Sequence, residues 1–140
     1  MVEEICGAEA DLQQSPLDRY IGFAVHEADE KKVRLRFFNE GHGWDNPNGT
    51  TCGGIFYTMA ASAMKKACLM KGKRVHLSDM AVNHLRPGFA DTCITAEAEV
   101  IHDGRTTMLA LCDFYDDKGK YLAHGKGTFL VDPTGEGEAD

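Results

Sequence analysis

A chain of 140 residues is long enough for one compact domain with a single core, and its 43% hydrophobic content is ordinary for a globular protein. The formal charge of −7 and the pI near 5.3 argue against nucleic acid as a partner, because phosphate binding needs a net basic face. The acidic start MVEEICG lacks the basic-then-apolar order of a secretory signal, and no apolar run spans a bilayer, so a cytoplasmic protein without a membrane partner is expected.

In chain order, Ala8 to Gln14 reads as a short helical lead ending near Pro16. Tyr20 to His26 alternates, with Ile21, Phe23 and Val25 on one face, and reads as a strand. After the charged turn EADEKK, Val33, Leu35 and Phe37 alternate with Arg34, Arg36 and Phe38, so these two strands are expected to form a hairpin. FNEGHGWDNPNGTT is a long loop, since its Gly, Asn and Pro content opposes regular structure, and long loops in compact domains are often functional. From Gly53 to about Met70 the pattern becomes Ile55, Met59, Ala63, Ala67 and Met70, the period of a helix. Its small residues, Ala60, Ala61, Ser62, Ala63 and Ala67, permit a sheet to wrap closely around it. Its basic end, Lys65, Lys66, Lys71, Lys73 and Arg74 with Gly72 as a stop, suits the negative pole of the helix dipole.

Four more strands follow: Arg74 to Leu85, closed by Arg86-Pro87-Gly88; Cys93 to Ile101; Thr106 to Tyr115; and Tyr121 to Val131. HDGR and DDKGK are the turns between them, and the acidic, Gly-rich tail DPTGEGEAD is expected to be disordered. The expected plan is a lead over 1–15, one domain over 16–131 and a tail over 132–140. It is an α+β domain in which a curved antiparallel sheet buries its concave face on one helix.

Five cysteines, Cys6, Cys52, Cys68, Cys93 and Cys112, are scattered without a CxxC pair, which suggests neither a disulfide framework nor a zinc site. Cys68, Cys93 and Cys112 lie in apolar patterns as small hydrophobes. Cys52 differs, because it sits at the hinge between the glycine-rich loop and the long helix.

The order β-β-α-β-β-β-β, NPNGTTCGG at the helix start, NHLRPG after the next strand and GKGTFLV in the last strand together resemble the hotdog-fold thioesterase superfamily. The resemblance is to its PaaI-like acyl-CoA thioesterase branch and runs from about Pro16 to Val131. That branch carries N-x-x-G-x-x-H-G-G, with an Asp or Glu on the helix nine residues after the His. Here Asn46, Gly49, Gly53 and Gly54 fill their places, Cys52 stands where the family has His, and Ala61 stands where it has the carboxylate. A Ser or Thr from the next strand would fall near Leu77, with Ser78 as its neighbour. The resemblance implies a Gly53 amide that polarises the thioester carbonyl and an Asn46 that orients water or thioester. It also implies an acyl-CoA substrate, no cofactor, and a homodimer or homotetramer with sites between subunits.

Thioester hydrolysis needs a donor for the developing oxyanion and a base or nucleophile to bring in water. The N–H groups of Gly53 and Gly54 at the helix start meet the first need, and glycine admits close approach. Ala61 cannot take a proton, so the second need falls to another group. Cys52 is a candidate nucleophile and His84 a candidate base, with His76, Asp79 and His42 behind them. Cys52 also reads simply as filler for the absent His, and Asn46 as a turn residue before Pro47. A metal site from His76, Asp79 and His84 lacks ligand spacing, and none is expected. Arg86, at the exit of a strand, suits coenzyme A phosphates, whereas Lys71 and Lys73 read as solvated charge. Trp44 and Phe38 are placed to line an acyl pocket. Three classes therefore stand: an acyl-CoA thioesterase with an altered site, a non-catalytic acyl-CoA or acyl-carrier binding protein, and a structural homo-oligomer.

Overall fold

The computed structural model describes residues 12, 15–41 and 43–133. The expected lead over Ala8 to Gln14 lies outside these residues except for Leu12, as does the tail from 134 onward.

Helix α1 spans Pro16–Ile21 and replaces the start of the strand expected from Tyr20. Its limits are local. The Ser15 hydroxyl accepts from the Asp18 N–H at 3.1 Å, Pro16 enters the first turn, and Gly22 closes the helix at φ 108° with its N–H on the Asp18 carbonyl. The alternation of Ile21, Phe23 and Val25 thus begins inside a helix, and the strand starts only at Ala24.

Strands β1 (Ala24–Ala28) and β2 (Val33–Phe38) form the expected hairpin, and the 17-residue helix α2 (Gly53–Leu69) follows the long loop. Then come β3 (Val75–His84), β4 (Cys93–Asp103), β5 (Thr107–Tyr115) and β6 (Tyr121–Val131). All six strands join one antiparallel sheet in the order β1-β2-β4-β5-β6-β3, which leaves β1 and β3 at its edges. Inward side chains from alternate positions, such as Leu35, Phe37, Ile94, Ala96, Met108, Ala110, Phe114 and Phe129, bury against α2.

The helix answers with Met59, Ala60, Ala63, Met64 and Ala67, and β6 meets it with two glycines. A Cβ at Gly127 would lie 2.9 Å from the Met64 Cε and 3.0 Å from the Phe129 ring, while one at Gly125 would lie 3.8 Å from the Ala60 Cβ of the helix. The GKGTFLV stretch is therefore a seat for the helix.

One helical residue departs from the expected pattern. Lys66, read as part of the basic end that suits the helix dipole, is only 7% exposed, and its Nζ donates to Asp18 Oδ2 at 2.8 Å. The i+4 step from Ser62 turns it toward α1.

The close seat predicts that Gly127→Val lowers stability by about 1–3 kcal/mol through overpacking, while Lys126→Val, on the exposed side, changes it by less than about 0.5 kcal/mol. Urea midpoints check this. Equal midpoints for the two variants would mean that the helix does not depend on glycine here.

Candidate active site

The loop between β2 and α2 is held by its own backbone. Asn46 N–H donates to the Thr50 carbonyl at 2.6 Å, Gly49 N–H to the Asn46 carbonyl at 2.9 Å, and Cys52 N–H to the Trp44 carbonyl at 2.8 Å. Gly49 takes φ 85°, the left-handed conformation that closes this turn. Thr51 N–H then donates to the Gly88 carbonyl at 2.7 Å, which docks the loop on the Arg86-Pro87-Gly88 segment after β3. Gly88 leaves room for the core there, since a Cβ on it would lie 2.9 Å from the Ile94 Cδ1 and 3.1 Å from the Phe56 ring and those side chains would have to shift.

Between these segments opens a cavity of about 350 Å³, lined by Asn46, Thr50, Thr51, Gly53, Phe56, His84, Leu85, Arg86, Pro87 and Gly88. Its floor is the start of α2. The first N–H groups of a helix lack intrahelical acceptors, and the dipole places partial positive charge at them. His84 stands beside this start: a Cβ on Gly53 would lie 3.5 Å from both its Cε1 and its Nε2. The ring is held edge-on to Phe56, with centroids 5.2 Å apart, and lies 5.9 Å from Tyr57. Arg86 donates to the Tyr121 carbonyl at 3.2 Å, which fixes a cation at the rim.

Asn46, Gly53, His84 and Arg86, all singled out from the sequence, thus meet here. The Asn46 amide nitrogen is already engaged, donating to Thr50 Oγ1 at 3.0 Å and to the Thr51 carbonyl at 3.5 Å, so this side chain shapes the turn as well as the wall. Thr51, which the sequence did not mark, is 4% exposed and lines the cavity, and its hydroxyl has no partner among the described residues.

The others lie elsewhere. Cys52 caps α2 without a side-chain hydrogen bond and is exposed, and Gly54 is its neighbour at the helix start. Trp44 packs edge-on against Tyr20 at 5.7 Å and ties the loop to α1. Ala61 is eight residues beyond Gly53, about 12 Å along the axis, and lines a different cavity of about 360 Å³ with Asp18, Ser62, Lys66, Leu77 and Phe129. His76 and Asp79 lie on β3 outside both cavity linings, and His42 is outside the described residues. Among the described residues no group of three or more His, Cys, Asp or Glu is gathered as for a metal ion, and no helix is long and apolar enough to cross a membrane.

The family model described as the thioesterase superfamily matches residues 48–123, more than half of the chain. The chain belongs to that superfamily. Among thioesterases, it is 32% identical over 75 residues to acyl-coenzyme A thioesterase PaaI of Escherichia coli (strain K12). That match covers 54% of both chains, so the chain spans about half the length of this curated relative. The structure of the E. coli PaaI protein from the phenylacetic acid degradation operon superposes with a TM-score of 0.76 at 25% identity, covering 81% of this chain and 86% of that one. A hypothetical thioesterase protein with coenzyme A from Streptococcus pneumoniae TIGR4 superposes with a TM-score of 0.74 at 20% identity, covering 79% and 85%. The thioesterase-superfamily chain has the hotdog fold, a curved antiparallel sheet around one main helix, as expected.

The four described cysteines differ in setting. Burial pushes the Cys68 thiol up to about 12 and raises that of Cys112 further, whereas Cys52 is open to solvent. Raised thiols stay protonated and unreactive near neutral pH. Iodoacetamide is therefore expected to label Cys52 in the folded protein at least tenfold faster than Cys68 or Cys112, read by peptide mass spectrometry. Equal labelling would contradict this burial.

Proposed function

We propose that the chain hydrolyses acyl-CoA thioesters at an atypical site. The observation that carries this reading is the meeting of the α2 start, the His84 ring and Arg86 around one cavity. A thioester carbonyl laid against Gly53 accepts its N–H, and the helix dipole stabilises the oxyanion that forms when water adds. His84 is the second hydrogen-bonding group beside that oxygen, and Arg86 at the rim suits the phosphates of coenzyme A. The likeness to PaaI, a protein named as an acyl-coenzyme A thioesterase, supports this substrate class.

The proposed working unit is a homodimer or a dimer of dimers. Edge strand β3 buries only Val75 and Val82 of its residues, leaving Leu77 44% exposed, and Leu130 on neighbouring β6 is 50% exposed. A long edge strand, with a row of backbone N–H and C=O groups not paired on one side and Leu77 exposed, invites pairing with a second copy. Sedimentation at micromolar concentration is expected to show at least a dimer, and a well-folded monomer would remove the shared-site arrangement.

Cys52 and Ala61, in the places of a His and a carboxylate, favour a second reading: a non-catalytic acyl-CoA or acyl-carrier binding protein. Thiol release from a panel of acyl-CoA esters separates the two, since a binder shows ligand-induced thermal stabilisation without release. In the enzyme reading Gly53→Val should lower turnover and acyl-CoA binding at least tenfold while the far-UV spectrum is kept, because its branched methyls press toward His84. Unchanged binding and turnover would place the site elsewhere.

A further inference from the structure

The cavity beside Ala61 contains a buried polar cluster that the site described above does not use. Asp18 of α1 is 4% exposed and Lys66 of α2 is 7% exposed. Lys66 Nζ donates to Asp18 Oδ2 at 2.8 Å and to Ser62 Oγ at 2.9 Å, and the Ser62 hydroxyl donates to Asp18 Oδ2 at 3.1 Å. Among the described residues, all side-chain hydrogen bonds to this carboxylate end on Oδ2, which leaves Oδ1 for a further partner. Asp18, Ser62 and Lys66 line the cavity together with Ala61; Leu17, Leu69, Leu77 and Phe129 form its apolar walls, and Ser15, Thr58 and Lys65 complete the lining.

A buried ion pair is a poor device for merely joining two helices, since apolar contacts of similar volume serve as well or better. Here the charge is kept next to a cavity roomy enough for water, at the helix position where the superfamily pattern has a carboxylate and this chain has alanine. Resting on the acyl-CoA thioesterase reading, we propose that Asp18 is the carboxylate that replaces the one missing at Ala61 and acts as general base on the hydrolytic water, with Lys66 and Ser62 as positioning residues that hold it.

The distance from Gly53 to Ala61, about 12 Å along the helix, prevents this carboxylate from serving a carbonyl at its own chain's helix start. The cavity includes Leu77 of edge strand β3, on the edge a second copy would cover. The site is completed there, one copy supplying the Gly53 amide and the other Asp18. In the reaction the water oxygen bonds to the acyl carbon as its proton passes to Asp18. The oxyanion then collapses, the C–S bond breaks with its electron pair on sulfur, and the sulfur takes the proton from Asp18. One water is consumed, and a carboxylic acid and free coenzyme A leave.

The test removes both charges at once, because Asp18→Asn alone would leave Lys66 unpaired. The double variant Asp18→Leu with Lys66→Met should stay folded, dimeric and able to bind acyl-CoA while kcat falls by about 10²-fold or more. Adding Ala61→Asp to it should restore kcat at least tenfold, which a structural role of the pair would not produce. Should the apolar pair fail to fold, Asp18→Asn with Lys66→Gln is read in the same way. Turnover kept within threefold, or a loss that Ala61→Asp does not recover, overturns the assignment of Asp18 while the parent's own hydrolysis leaves the thioesterase reading intact. A parent that binds acyl-CoA without hydrolysing it overturns both.

Discussion

Helix α2 sits on the sheet through alanine and glycine instead of through leucine, and that close approach governs what the fold can do. Ala60, Ala63 and Ala67 on the helix and Ala96, Ala98, Ala110, Gly125 and Gly127 on the strands remove the bulk that would hold the two layers apart. Met64 and Met59 fill the remaining gaps, a task suited to an unbranched, adaptable side chain. Because one helix is clasped along its length, its start is fixed relative to both β3 and the loop that precedes it. The positions of the Gly53 amide and the His84 ring are therefore set by core packing more than by contacts between them.

The same clasp separates the chemistry into two places. The start of α2 opens on the cavity with His84 and Arg86, and its middle turns open on the cavity with Asp18 and Lys66. Each cavity alone has part of what thioester hydrolysis asks for: backbone donors and a rim cation in the first, an ionisable carboxylate in the second. Strand β3 contributes to both, ending at His84 beside one and placing Leu77 in the other.

Much of this was legible in the sequence. The strands from Val33 onward follow alternation with strong turn signals, and β6 runs over the expected Tyr121–Val131. The meeting of Gly53, Asn46 and Arg86 could be read because their motifs bracket the helix start and the strand exit. The region before Ala24 was misread, since the alternation of Ile21, Phe23 and Val25 runs across a helix end, and Ser15-Pro16 with Gly22 outweighed it as far as Ile21. Asp18 escaped notice for a different reason. Its partner lies 48 residues away, and locally it is only a first-turn acid behind a serine cap. Lys66 was likewise hidden among the lysines at the end of α2, where only the three-dimensional path of α1 distinguishes it.

The Asp18–Lys66 pair also constrains how this sequence can drift. Losing either partner alone strands a desolvated charge, a penalty of about 3–5 kcal/mol, whereas changing both together to apolar residues is close to neutral for folding. Single-step mutational paths between the charged and uncharged forms therefore pass through a destabilised intermediate. The two positions are coupled in stability although a strand hairpin, the entire glycine-rich loop and most of α2 separate them along the chain.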